Sequence, residues 1–202
     1  LDYVTIEDIE VKSSWSSSNP IVSAGAACQS IMFRNLLLSK YTNAGGGIFQ
    51  SGSGSGDIEN CVFVNLISLS GTGFSSNSPT NIRNCTAIGG GDGFAGTGKN
   101  NTVPVTNCVS YGAYFPFTGS LSGDYNASDD TSAPGANSVH SITSAAFKDY
   151  AGGNYRPATG GVLYEAGTDL SNGPDIRGEA LRHISIGAYD SEYVYRTLKA
   201  SA

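Results

Sequence analysis

Charge is scarce in this chain. Asp, Glu, Lys and Arg make up 14% of its 202 residues, and 17 acids against 11 basic residues give a formal net charge of −6. Phosphate contacts need clustered Lys and Arg, so nucleic acid is not expected as a partner. Long apolar runs are also missing. No stretch approaches the roughly 20 residues that cross a bilayer as a helix, so no membrane insertion is expected. Only His140 and His183 are present, far apart and without metal-like neighbours. The four cysteines, at 28, 61, 85 and 108, lie too far apart for the close pairs of a zinc site. No metal or other cofactor is therefore expected. Phosphate-loop, dinucleotide and nucleophile-elbow fingerprints are lacking in any suitable strand-to-helix context. Helix-forming stretches are scarce before Gly178-Glu179-Ala180-Leu181. The chain opens at Leu1 without a Met, directly in a strand-like segment, as a processed or excised piece would.

What the chain does have is an echo. Ile58-Glu59-Asn60-Cys61 returns as Ile82-Arg83-Asn84-Cys85 and as Val105-Thr106-Asn107-Cys108. Ile6-Glu7-Asp8-Ile9 and Phe33-Arg34-Asn35-Leu36 fill the same slot, and Asp124-Tyr125-Asn126-Ala127 fills it more weakly. The polar residues Asp8, Asn35, Asn60, Asn84, Asn107 and Asn126 are 27, 25, 24, 23 and 19 apart, a period that marks a solenoid. Apolar and polar positions alternate before the Asn and again after it, so each unit is a strand, a tight bend and a second strand. Asn tolerates a left-handed backbone and can make that bend. The amides are expected to stack at one corner and bond along the axis.

A second ladder places Phe49, Phe74, Phe94 and Phe115 after glycine-rich turns, which predicts a third strand per turn with the rings stacked inside. Cys61, Cys85 and Cys108 occupy one inward slot on successive turns. In-register parallel strands lie about 4.8 Å apart, longer than the usual Cβ separation of a disulfide, so free buried thiols are expected, Cys28 included. The outward slot before the bend holds Glu7, Arg34, Glu59, Arg83 and Thr106, a self-neutralising ladder of exposed pairs. The fold expected is all-β: a single-stranded right-handed parallel β-helix of about six rungs over residues 1–144, handed as crossover connections are, with an irregular C-terminal cap over 145–202. Ser128–Asn137 reads as a solvated loop, and the segment beyond it as a lid over the last rung.

That last third carries a resemblance. Asp124-Tyr125-Asn126, Phe147, Gly153-Asn154-Tyr155-Arg156, Glu165-Ala166-Gly167, Asp175-Ile176-Arg177-Gly178 and Ile186-Gly187-Ala188 together resemble the closing segment of pectate-lyase-like right-handed parallel β-helix proteins. Asn154 stands where that pattern usually has Asp, and Gly160-Gly161-Val162-Leu163-Tyr164 replaces a Ser-Pro-containing segment. The superfamily includes polysaccharide lyases, surface adhesins, and phage tailspikes and other virion proteins. The resemblance therefore implies architecture and a virion or extracellular setting, and leaves activity open.

For chemistry, a lyase of that superfamily would need a base and a calcium-binding acid cluster on one outward face, which the alternating Glu and Arg ladder does not supply. A glycosidase needs two carboxyl groups flanking the sugar. Asp92, in a Gly-Asp-Gly turn, and Asp129 and Asp130, in the loop, are the acids that come nearest. Turn and loop roles are the expectation for all three. Arg156, Asp175 and Arg177 are read as buried charges of the lid. The sequons at Asn84, Asn100 and Asn126 are read as chance. The expected function is a non-enzymatic structural or adhesive protein of a virion, of tailspike, fibre or capsid-decoration type. The expected partners are further copies of itself, a trimer first, or other virion or surface proteins, with glycan as a ligand. The alternatives are a bacterial surface adhesin and a polysaccharide lyase or glycoside hydrolase fragment.

Overall fold

A computed structural model describes residues 4–13, 21–24, 30–34, 36–40, 47–50, 55–65, 71–76, 80–97, 102–170 and 185–188. The chain winds as a parallel β-helix, with strands numbered in chain order. The first sheet stacks β1 (Val4–Glu7), β4 (Ser30–Arg34), β7 (Ser55–Glu59), β10 (Thr80–Arg83), β13 (Val103–Thr106) and β16 (Leu121–Ser122). The second stacks β2 (Glu10–Ser13), β5 (Leu37–Lys40), β8 (Val62–Asn65), β11 (Thr86–Gly89), β14 (Val109–Tyr111) and β17 (Ala127–Ser128). The third stacks β3 (Val22–Ala24), β6 (Ile48–Gln50), β9 (Thr72–Ser76), β12 (Asp92–Gly96) and β15 (Phe115–Gly119). All three are parallel, and each strand pairs with its counterpart one turn away.

Between the first and second sheets the chain turns on one left-handed residue. Asp8, Asn60, Asn84 and Asn107 have φ between 49° and 58°. Asn107 Nδ2 donates to Asn84 Oδ1 at 3.1 Å, so the amides of these two turns are joined along the axis. Asn35 lies outside the described residues. In the last copy the slot shifts by one: Tyr125 takes the left-handed conformation, at φ 55°, and Asn126 stands in the cysteine position. The reason is visible in the thiols. Cys61, Cys85 and Cys108 are free and fully buried. Each lies 3.6–3.7 Å from a carbonyl oxygen of the preceding turn: Phe33, Ile58 and Ile82 respectively. Asn126 Nδ2 continues that series to Val105 O at 2.9 Å, and its Oδ1 accepts from Cys108 N. Burial pushes the Cys61 and Cys85 thiols well up, so they stay protonated. Cys28 lies outside the described residues.

The interior column holds Phe33, Leu36, Leu38, Ile48, Ile58, Phe63, Phe74, Ile82, Phe94, Val103, Val105 and the three thiols, all fully buried. Its ring ladder differs from the expected one. Phe74 and Phe94 stack with centroids 5.1 Å apart, and Phe94 stacks on Phe117, not Phe115, at 5.0 Å. Register puts Ile48, not Phe49, in line with Phe74. The cause is a glycine column. A Cβ on Gly47 would sit 2.6 Å from the Phe63 ring, one on Gly73 3.0 Å from it, and one on Gly93 would collide with Ser110 Oγ. The residue after each of these glycines is the ring or its stand-in. In the last copy Pro116 holds the Gly93 position, so the ring is Phe117 and Phe115 is left outside.

From β8 onward the second sheet is largely buried on both faces, while Glu10 and Lys12 of β2 are exposed. Its inward residues belong to the column. Its outward Val62, Ile88, Val109 and Ala127 pack with Ile142, Ala146, Phe147, Tyr155, Leu163, Ile186 and Ala188. The C-terminal segment, including the antiparallel pair β18 (Phe147–Asp149) and β19 (Asn154–Pro157), therefore covers Ala127 of the last strand and continues along the flank as far as Val62. Arg156 is buried there. Asp175, Arg177 and His183 lie outside the described residues.

The interior itself is closed by Ser128–Asn137, which is not a merely solvated loop. Ala133 is 5% exposed inside the column, Ser132 Oγ accepts from Phe117 N, and Asn126 Nδ2 also reaches Pro134 O. His140 serves the same closure, with Nε2 2.9 Å from Ala133 O. The outward ladder of the first sheet pairs as expected: Arg34 lies 3.9 Å from Glu7 and 3.5 Å from Glu59, and Arg83 lies 3.5 Å from Glu59. It is less exposed than expected. Glu59 is only 4% accessible, and burial raises its pKa above the ordinary value against the pull of Arg83 and Arg34.

Candidate functional site

Two of the three long faces are committed to structure: one neutralises itself, the other is covered. The remaining feature is the turn that leads from the second sheet into the third. Successive copies of this turn are stitched together by backbone bonds. Gly91 N donates to Gly71 O at 2.8 Å, Tyr114 N to Gly90 O at 3.1 Å and Phe115 N to Gly91 O at 2.7 Å. Glycine allows it, because Gly71, Gly90 and Gly112 take φ values of 88°, 88° and 73° that side-chain-bearing residues rarely adopt.

At the outer end of this stack, Thr72, Asp92 and Phe115 fall in one register row. Thr72 Oγ1 donates to Asp92 Oδ2 at 2.9 Å. Phe115 is 54% exposed and Tyr114 63%, their rings edge to face with centroids 4.5 Å apart. Only Ile9 and Val162 join them as exposed large apolar side chains among the described residues. Burying a Phe side chain is worth about 1.5–3 kcal/mol, so leaving this ring in water forgoes stability that the fold obtains everywhere else on the ring ladder.

The three acids singled out from sequence are separated in role. Asp92 is the one in the aromatic turn. Asp129 is half-buried and meets the glycine turn through Gly112, whose N–H donates to Oδ2 at 2.8 Å. Its Oδ1 is buried without a hydrogen-bond partner. Burial pushes the Asp129 carboxyl above its usual range, and the Asp130 charge adds to this. Asp130 is exposed, and despite partial burial its hydrogen bonds from Ser132 and Ser128 hold it below the ordinary value. Asp124 is likewise held low, against desolvation, by Asn137 and Tyr125 N–H groups. No group of three or more His, Cys, Asp or Glu residues able to hold a metal occurs among the described residues. No helix among them is long and apolar enough to cross a membrane.

Phe115 is the residue that the ring-ladder expectation misplaced, and Tyr114 one that sequence reasoning missed. The signal was there: the last copy carries Tyr114 and Phe115 where the copy before it has Gly91 and Asp92. Asn84 and Asn126, in two of the sequons, are buried in the fold; Asn100 lies outside the described residues. Compared with known proteins, the chain matches no family model, no curated protein and no solved structure.

Proposed function

We propose that this chain is a non-enzymatic structural or adhesive β-helix module that works at a virion or cell surface by holding glycan on a rigid frame. The observation that carries the reading is the exposed Tyr114–Phe115 pair on a stack of turns fixed by backbone bonds. An exposed aromatic patch on an otherwise well-packed surface marks a contact site. Acid–base machinery is less well supported. Asp92 is engaged by Thr72, and Asp129 by the Gly112 N–H, and neither has a base beside it among the contacts described. The pectate-lyase-like superfamily remains the architectural relative suggested by the C-terminal third. Association with further copies, a trimer first, is part of the proposal, with the 45% exposed Ile9 among the apolar side chains it would cover.

The test is incubation with capsule, pectin, alginate and lipopolysaccharide glycans, following both retention and new reducing or unsaturated ends. Retention without cleavage is expected. Cleavage abolished by Asp129→Asn or Asp92→Asn makes the lyase or hydrolase reading the better one, with the raised Asp129 carboxyl as its acid. Sedimentation tests the association; a strict monomer at high concentration removes it.

A further inference from the structure

We propose that Thr72, Asp92, Tyr114 and Phe115 form a binding subsite for an uncharged pyranose, and not for a uronic acid. The inference rests on the adhesive reading and gives that site its ligand class. Three observations point the same way. The first is shape. Two exposed rings meet edge to face, so one offers a flat surface and the other a wall. The C–H face of a pyranose packs on such a surface as other apolar groups do. The second is the polar group placed beside them. Asp92 is the register neighbour of Phe115, one strand spacing of about 4.8 Å away. The only hydrogen bond of its side chain among the described residues runs from Thr72 to Oδ2. Oδ1 is therefore available to accept from a sugar hydroxyl, and the Thr72 oxygen can accept another. A few fixed polar groups beside an aromatic surface are what orients a ligand in a site of this kind.

The third observation is charge. A uronate would bring its carboxylate to Asp92 on a protein of net charge −6, with no Lys or Arg in the row to offset it. Like charges at that separation repel. A hydroxyl or hydroxymethyl group carries no such penalty. The site is also pre-formed: the turns beneath it are hydrogen-bonded to one another, so little ordering is left to oppose binding.

Saturation-transfer NMR and calorimetry on the whole chain, with cellohexaose, β-1,4-galactotetraose and mannohexaose as neutral probes and tetragalacturonate as the acidic one, decide the matter. At least one neutral probe should bind, with tetragalacturonate at least tenfold weaker. Phe115→Ala and Tyr114→Ala should each reduce neutral binding tenfold or more without shifting the melting temperature, since both rings are exposed. Asp92→Asn should weaken neutral binding severalfold and narrow the gap to tetragalacturonate. Neutral binding indifferent to all three variants overturns the subsite while leaving the adhesive reading standing. Preference for tetragalacturonate overturns the ligand class. Binding of no probe up to millimolar concentration counts against both.

Discussion

The molecule has two cores, and they are built on different principles. The interior column is made of ladders, in which Phe stacks on Phe, thiol follows thiol and Ile follows Ile at the same height of each turn. The flank core is made of unlike parts, with Val62, Ile88, Val109 and Ala127 on one side and a non-repeating C-terminal segment on the other. In the column each residue satisfies the turn above and the turn below, so an error in one turn is felt in its neighbours. In the flank the contact is between one sheet face and one segment, held at chosen points. The sharpest of these is Asn107, whose Nδ2 donates to Thr168 O at 2.7 Å while its Oδ1 accepts from Thr168 N at 2.9 Å. The same amide bonds Asn84, so one side chain belongs to the corner ladder and to the clamp. Repetition thus supplies cooperativity along the axis, and a few specific bonds supply the attachment of the rest.

The largest expected effect strikes the column. Phe94→Ala removes a ring stacked on both sides and should cost about 3–5 kcal/mol, read as a lower urea midpoint. A loss below 1 kcal/mol would mean that the turns do not depend on one another. Asn107→Ala strikes the junction. It should cost about 1–3 kcal/mol and, more tellingly, speed hydrogen exchange at Thr168 and Gly187 while leaving Phe74 and Phe94 protected. Gly187 N also bonds Asn107 O, so the two amides report one attachment. Uniform acceleration throughout would merge the two cores into one unit. Cys85→Ser, within the column, should cost about 1–3 kcal/mol by burying a more strongly polar hydroxyl in place of a thiol that lies 3.1 Å from Arg83 O and 3.6 Å from Ile58 O. Mass spectrometry of the non-reduced protein should find no Cys61–Cys85 disulfide.

The smallest effect is a pH profile. Glu59 and Asp129, raised by burial, hold their protons more tightly folded than unfolded. Their contribution to stability is present in full below their unfolded pKa values and is lost as pH rises through the folded ones. Asp124 and Asp130, held low, act in the opposite sense and withdraw stability only as pH falls below the ordinary Asp range. Unfolding midpoints followed from neutral pH downward should therefore rise first and fall later. Asp129→Asn should flatten part of the rise. A curve that only declines on acidification would contradict the sign.

The column was legible in the sequence because ladders repeat. The corner asparagines, the thiol slot and the outward charges all follow from one period. What misled was the assumption that the last copies keep the pattern to the residue. Tyr125 and Asn126 exchange roles by one position, and Phe117 replaces Phe115, because the final turn has to close against Ser132 and Pro134 and not against another turn. The flank was legible only in part. Cys61-Val62-Phe63-Val64 is apolar at every position, which is how a strand buried on both faces reads. A period-two reading takes the Cys and Phe and discards the valines. The candidate site was the least legible, since exposure of Tyr114 and Phe115 depends on Pro116 occupying a glycine slot, a matter of register and not of residue type.

The closure by Ser128–Asn137 has a consequence for growth. A stack of parallel strands is a template, and its exposed rim can recruit another strand. With Ser132 taking the Phe117 N–H and Asn126 bridging Val105 and Pro134, the final rim offers such groups to its own chain and leaves few for a stranger. Addition of a strand is disfavoured where these bonds are made. Association between copies, as proposed above, then has to use a surface other than this rim. An unplugged solenoid, by contrast, would offer the edge from which a filament grows.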